Sequence, residues 1–117
     1  MKKVFVFSSN EAGRHFKGDA LFAVENYGAV QGRGVGRQGS SYAIPVRDRK
    51  DELLTLEQIE YYIVKFKEYA VEREWIEFII TPVGCGKSMY KPTDIAPMFR
   101  RAPSNCNLPD EFREIIS

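Results

Sequence analysis

Seven of the nine glycines stand before residue 40: Gly13, Gly18, Gly28, Gly32, Gly34, Gly36 and Gly39. Glycine loses the most backbone freedom on folding and weakens helix and strand interiors alike. The first third of the chain is therefore restricted to short elements joined by loops. Four glycines in the eight residues from Gly32 to Gly39 predict no regular element there.

Around this segment the apolar pattern sets the elements. Val4-Phe5-Val6-Phe7 is a continuous apolar run ending in Ser8, Ser9 and Asn10, as expected of a strand covered on both faces. Asp19 to Tyr27 predicts a short helix stopped by Gly28. Ser41-Tyr42-Ala43-Ile44-Pro45 predicts a strand that Pro45 limits. Thr55 and Gln58 form a capping box, and Ile59, Tyr62, Ile63, Phe66, Tyr69 and Ala70 recur at helical spacing, so a helix runs from Leu56 to about Arg73. Ile76 to Val83 reads as a strand leading into Gly84-Cys85-Gly86-Lys87-Ser88-Met89-Tyr90. Thr93 with Asp94 caps a short helix through Phe99, and Pro109-Asp110-Glu111 opens a last one whose apolar side is Phe112, Ile115 and Ile116. Strands alternating with helices imply an α/β fold, a sandwich with a largely parallel or mixed central sheet. The 117 residues make one core and one domain, residues 1–117.

Charge and cysteine usage narrow the functional classes. With 17 Lys and Arg against 16 Asp and Glu, the chain does not carry the basic excess of a general nucleic-acid binder. Its basic residues gather with the glycines: residues 1–40 hold six basic and three acidic side chains. No apolar stretch is long enough to cross a membrane, and the N-terminal run is too short for a secretory signal. Two cysteines, Cys85 and Cys106, are too few for a disulfide scaffold, so a reducing, cytoplasmic setting is expected. They do not make a zinc set with the single His15. No Gly-x-Ser-x-Gly elbow is present.

Ligands of open α/β sheets bind beyond the carboxyl ends of the strands, and three loops qualify. The first, Ser8 to Asp19, offers Ser9, Asn10, Gly13, Gly18 and the only histidine. There Asn10 either reads a ligand hydroxyl or caps an Asx turn, and His15 is either functional or an ordinary surface imidazole. The second, Gly32 to Gly39, can present backbone N–H groups to a phosphate with Arg33 and Arg37 as neutralising charges, or be a plain connection with two solvated arginines. In the third, Gly84-Cys85-Gly86 presents backbone amides where a diphosphate can approach, and Tyr90 can stack on a ring. Gly86-Lys87-Ser88 copies the end of a Walker loop, but Thr81 stands where that motif needs glycine. Cys85 is a nucleophile or a packed small residue. No cofactor or metal is implied.

With these loops identified, the chain resembles a small macro-domain-like family of bacteria and phages, and more distantly the ADP-ribose-binding macro domains. The resemblance rests on the strand ending in Ser9-Asn10 with its glycine-containing loop, on Gly39-Ser40-Ser41-Tyr42-Ala43-Ile44-Pro45, and on Ile80-Thr81-Pro82-Val83-Gly84-Cys85-Gly86 with Tyr90. It implies a three-layer α/β/α sandwich with a cleft for ADP-ribose or a related nucleotide derivative. It also implies Asn10 near the distal ribose, the Gly13 to Asp19 loop on the diphosphate side, and Gly84, Cys85, Gly86 and Tyr90 around the phosphates. Where macro domains carry a run of glycines, this chain reads His15-Phe16-Lys17-Gly18-Asp19. Three outcomes follow for a small nucleotide-derived partner: binding alone, phage-type sequestration of a signalling nucleotide, or hydrolysis of ADP-ribosyl groups. Hydrolysis by a glycohydrolase or deacylase would use Asn10 to orient water or substrate, with His15 or Asp19 assisting proton transfer. Tyr61, Tyr62 and Tyr69 on the long helix suggest a protein-interaction face, or simply the core and rim of one helix.

Overall fold

The computed structural model describes residues Met1–Ser117. Its first strand, β1 (Lys2–Asn10), extends well beyond the apolar run of Val4 to Phe7 and lies at the centre of a five-stranded sheet. Next come α1 (Gly18–Tyr27), β2 (Gly36–Gln38), β3 (Ser41–Arg47), α2 (Leu56–Val71) and β4 (Ile76–Ile80). The chain ends with α3 (Pro92–Ile95) and a 3-10 turn (Ala96–Phe99), β5 (Cys106–Asn107) and α4 (Asp110–Ile116). The strand order is β2-β3-β1-β4-β5. All neighbours are parallel except β2, which runs antiparallel on β3 at one edge. The fold is α/β with a mixed sheet.

The side-chain alternation of β1 explains why it is central. Val4 and Val6 enter a cluster of 19 buried residues, which also takes Ile59, Ile63, Phe66 and Ala70 from α2 and Phe112 from α4. Phe7 points to the other face, into a smaller cluster with Ala20, Ala23, Ala29 and Ala43. The alanines let α1 sit close to the strands, and Phe5 stacks on Tyr27 at 4.9 Å. In the larger cluster Phe66 meets the rings of Tyr42 and Phe78 at 5.0 and 5.3 Å. Truncating such a buried aromatic to alanine costs about 3–5 kcal/mol.

Helix boundaries follow local chemistry. Thr55 Oγ1 accepts from the Gln58 N–H and Gln58 Oε1 accepts from the Thr55 N–H, which completes the expected capping box. Gly28, left-handed at φ 74°, closes α1. Near Phe99 the cap differs from the Thr93-based expectation: Asp94 accepts from the Lys91 N–H at 3.1 Å, and Pro92 opens the helix.

Three strand expectations need correction. Gly36–Gln38 forms β2 despite its glycines, because it only has to pair three residues along the edge of β3. β3 runs through Pro45 to Arg47. Pro45 faces Ser9 where the register slips, Asn10 then pairing with Arg47, and β2 has already ended opposite Ala43. Proline is tolerated at such an irregularity because no ladder requires its missing N–H. Finally, β4 stops at Ile80, and Thr81 to Val83 turn into the following loop. No helix is long and apolar enough to cross a membrane.

Candidate functional site

A cleft of about 500 Å³ opens beyond the carboxyl ends of β1, β3 and β4. From β1 and the loop after it come Ser8, Ser9, Asn10, Arg14 and Lys17; the start of α1 adds Gly18, Asp19 and Ala20. The β3 side contributes Val46, Arg47 and Asp51, and the loop after β4 contributes Pro82, Cys85, Lys87 and Met89. Parallel strands turn into loops on one side of the sheet, so residues far apart in sequence converge there.

Two features give the cleft an excess of positive charge. It holds four cationic side chains, Arg14, Lys17, Arg47 and Lys87, against two carboxylates, Asp19 and Asp51. None of them takes part in the ion pairs of the molecule, which are Lys65–Glu68, Glu72–Arg73 and Asp110–Arg113. The start of α1 also faces the cleft through Gly18, Asp19 and Ala20, and the side chain at its N-cap, Lys17, supplies no hydrogen bond. Its first backbone N–H groups have no intrahelical acceptor, and the helix dipole adds to their positive potential. Asp19, in that first turn, offsets part of this field.

The sequence-derived candidates divide into two groups. Ser9, Asn10, Gly18, Asp19 and Cys85 line the cleft. Gly13, His15, Gly84, Gly86, Tyr90, Arg33 and Arg37 do not. Asn10 borders the cleft with both ends of its amide engaged: Nδ2 donates to the Arg14 carbonyl at 2.9 Å and Oδ1 accepts from the Arg14 N–H at 2.8 Å. This is the local capping role, and it shapes the loop that carries Arg14. Ser9 is buried and donates to the Gly34 carbonyl at 2.5 Å.

His15 is fully buried, contrary to the surface imidazole that a lone histidine suggests. Its ring lies edge-on to Phe7 at 5.3 Å, and Nε2 contacts the Arg33 carbonyl at 2.9 Å. A carbonyl can only accept, so Nε2 is the donor, and Nδ1 has no hydrogen-bond partner. The Gln31 side chain clamps the His15 backbone from both sides, accepting from its N–H and donating to its carbonyl. His15 thus fastens the cleft loop to the glycine segment behind it.

That segment does not bind at the cleft either. A Cβ at Gly34 would lie 2.1 Å from the Asn10 carbonyl oxygen, and one at Gly13 would lie 2.3 Å from the Arg33 nitrogen. These glycines let two backbones touch. The Arg33 carbonyl accepts from His15 and Gln38, while the Arg37 guanidinium reaches the Tyr69 hydroxyl at 3.0 Å. The expected phosphate-neutralising pair therefore stands outside the cleft. Arg14 and Arg47 line the cleft instead, and no motif marks them.

The loop after β4 is packed at its start, where Val83 and Gly84 are buried, and exposed from Gly86 to Ser88. Gly84 is buried with Ile95 Cδ1 3.1 Å from where a Cβ would stand, and its N–H donates to Ser8 Oγ at 3.0 Å. Tyr90 turns away from the cleft and donates to the Leu54 carbonyl at 2.8 Å. Burial pushes the Cys85 thiol up to about 11, and Glu111 and Asp94 add to the rise. A thiol held up so far is not a thiolate nucleophile at neutral pH. No group of three His, Cys, Asp or Glu side chains is placed to hold a metal ion. On α2, Tyr62 donates to Glu11 Oε2 at 2.5 Å, Tyr69 lies under the Arg73 guanidinium, and Tyr61 is exposed. No protein-family model, curated protein or solved structure matches the chain.

Proposed function

We propose that this chain binds ADP-ribose or a related nucleotide derivative in the cleft beyond β1, β3 and β4, and that its fold is a three-layer α/β/α sandwich of the macro-domain type. One observation carries the reading: four cations without a carboxylate partner and the uncapped start of α1 converge on one cleft of about 500 Å³. Helix N-termini and Arg or Lys side chains favour phosphate oxygens. Val46, Pro82 and Met89 supply apolar surface against which a base can pack. A small anionic molecule fits this geometry better than a nucleic acid, since the cleft has four cations against two carboxylates while the chain as a whole is nearly neutral. The protein acts in a reducing compartment such as the cytoplasm, with both cysteines free.

Binding without turnover is the preferred outcome over hydrolysis. The imidazole of His15 is buried behind the cleft, and both polar ends of Asn10 are closed on Arg14, which leaves Asp19 as the one exposed group of the three. To test this, the protein is saturated with ADP-ribose, separated from free ligand and denatured, and the released molecule is weighed by mass spectrometry. Stoichiometric recovery of intact ADP-ribose is expected. A new product mass would overturn binding without turnover, and failure to retain ADP-ribose would overturn the ligand class.

A further inference from the structure

Arg47 ends β3 at the cleft, and its guanidinium is held by two backbone carbonyls from two different loops. Nη1 donates to the Asp51 carbonyl at 3.0 Å and Nη2 to the Ser88 carbonyl at 3.2 Å. The two acceptors share an unusual feature: Asp51 and Ser88 are non-glycine residues at positive φ, 68° and 64°. Side chains disfavour that conformation, which persists where the surroundings hold it. Arg47 pairs with no carboxylate. A cation lining a cleft thus has only neutral partners, both on loops that border the cleft through Asp51 and Lys87.

We propose that Arg47 is the anion-receiving side chain of the cleft, exchanging the Asp51 and Ser88 carbonyls for two oxygens of a diphosphate group on the bound molecule. A planar guanidinium matches two phosphate oxygens at once, and a charge-assisted pair is about twice as strong as a neutral one. The freed carbonyls turn to water. Because one side chain bridges both loops, its transfer to the ligand removes one hydrogen bond from each, so occupancy of the cleft is coupled to the loops at residues 48–53 and 84–90. The lysines at the rim, Lys17 and Lys87, are exposed point charges without this bridging geometry. This assignment rests on the nucleotide-derivative reading of the cleft.

The test uses inorganic pyrophosphate, which has no nucleoside, titrated calorimetrically into the wild-type chain, Arg47→Gln, Arg47→Lys and the control Arg33→Gln. Wild type and the control are expected to bind alike. Arg47→Gln is expected to bind at least about tenfold more weakly, roughly 1.4 kcal/mol, and Arg47→Lys to fall between them. Amide exchange of the wild type is followed in parallel and should quicken with pyrophosphate at residues 50–52 and 87–89 together. Equal affinity of wild type and Arg47→Gln, or no pyrophosphate binding by the wild type, overturns the assignment. Should Arg47→Gln not fold, unchanged or slower exchange in the wild-type loops overturns it instead. Pyrophosphate binding that depends on Arg47, with no binding of ADP-ribose, keeps the assignment and overturns the nucleotide reading; ADP-ribose binding indifferent to Arg47 does the reverse.

Discussion

Asn10 and Arg14 form a closed pair at the end of β1, the side-chain amide of one satisfying both the N–H and the carbonyl of the other at 2.8 and 2.9 Å. The pair turns the chain away from the sheet and brings Arg14 to the cleft. A residue that looks like a ligand reader is thereby part of the scaffold. Asn10→Ala removes two hydrogen bonds, each contributing about 0.5–1.5 kcal/mol. The variant is expected to be about 1–3 kcal/mol less stable in urea denaturation with no ligand present. Stability equal to wild type would show that Asn10 has no structural role.

The glycines behind the cleft differ sharply in what they tolerate. Gly34→Ala would place a Cβ 2.1 Å from the Asn10 carbonyl oxygen, whereas a Cβ at Gly32 meets nothing within 4 Å. Overpacking against backbone is expected to destabilise Gly34→Ala by about 3 kcal/mol. Gly32→Ala carries only the strain of a side chain at positive φ, about 1–2 kcal/mol. Urea denaturation of the two variants checks the order, and a reversed order would contradict the close approach of β1 to this loop.

Alkaline pH should unfold the protein through four groups. Burial first, and the Glu11 hydrogen bond second, raise Tyr62 from 10.0 to about 12. Burial, then the neighbouring Tyr69, raises Tyr42 to about 12. Burial likewise takes the Cys85 and Cys106 thiols from 9.0 to about 11 and about 12. In each case the folded state favours the protonated form, so the stabilisation is complete below the unfolded value and lost as pH rises through the folded one. Denaturation midpoints should therefore hold steady in this respect up to about pH 9 and fall towards pH 12, with a shallower fall in Tyr62→Phe. Midpoints that stay level across this window would contradict the buried, protonated assignments.

Structure is legible in the sequence where one short motif decides it. Thr55 with Gln58 and the spacing from Ile59 to Ala70 locate α2, and Gly28 locates the end of α1. Structure that depends on a partner was not legible. Gly36–Gln38 is a strand only because β3 lies beside it, β5 is two residues long and has no apolar pattern of its own, and Pro45 survives in β3 because the register slips there. The site shows the same division. Ser9, Asn10, Gly18, Asp19 and Cys85 sit where strand-end reasoning puts them. Arg33 and Arg37 have the glycine neighbours of a phosphate loop, yet tertiary contacts bind them elsewhere. Arg47 lies two residues beyond the proline expected to limit its strand, and only the folded chain brings it to one cleft with Lys87 and Asp51.

The central claim is that the cleft beyond β1, β3 and β4 takes a nucleotide derivative. Its most direct test is thermal unfolding with and without ADP-ribose for wild type, for the cleft double variant Lys17→Glu/Lys87→Glu, and for Arg33→Gln/Arg37→Gln outside the cleft. Ligand at about 100 times its Kd adds roughly 2.7 kcal/mol, so wild type and the outer variant should both show a raised Tm that the cleft variant loses. No rise in Tm for the wild type, or an equal rise in the cleft variant, would contradict the claim.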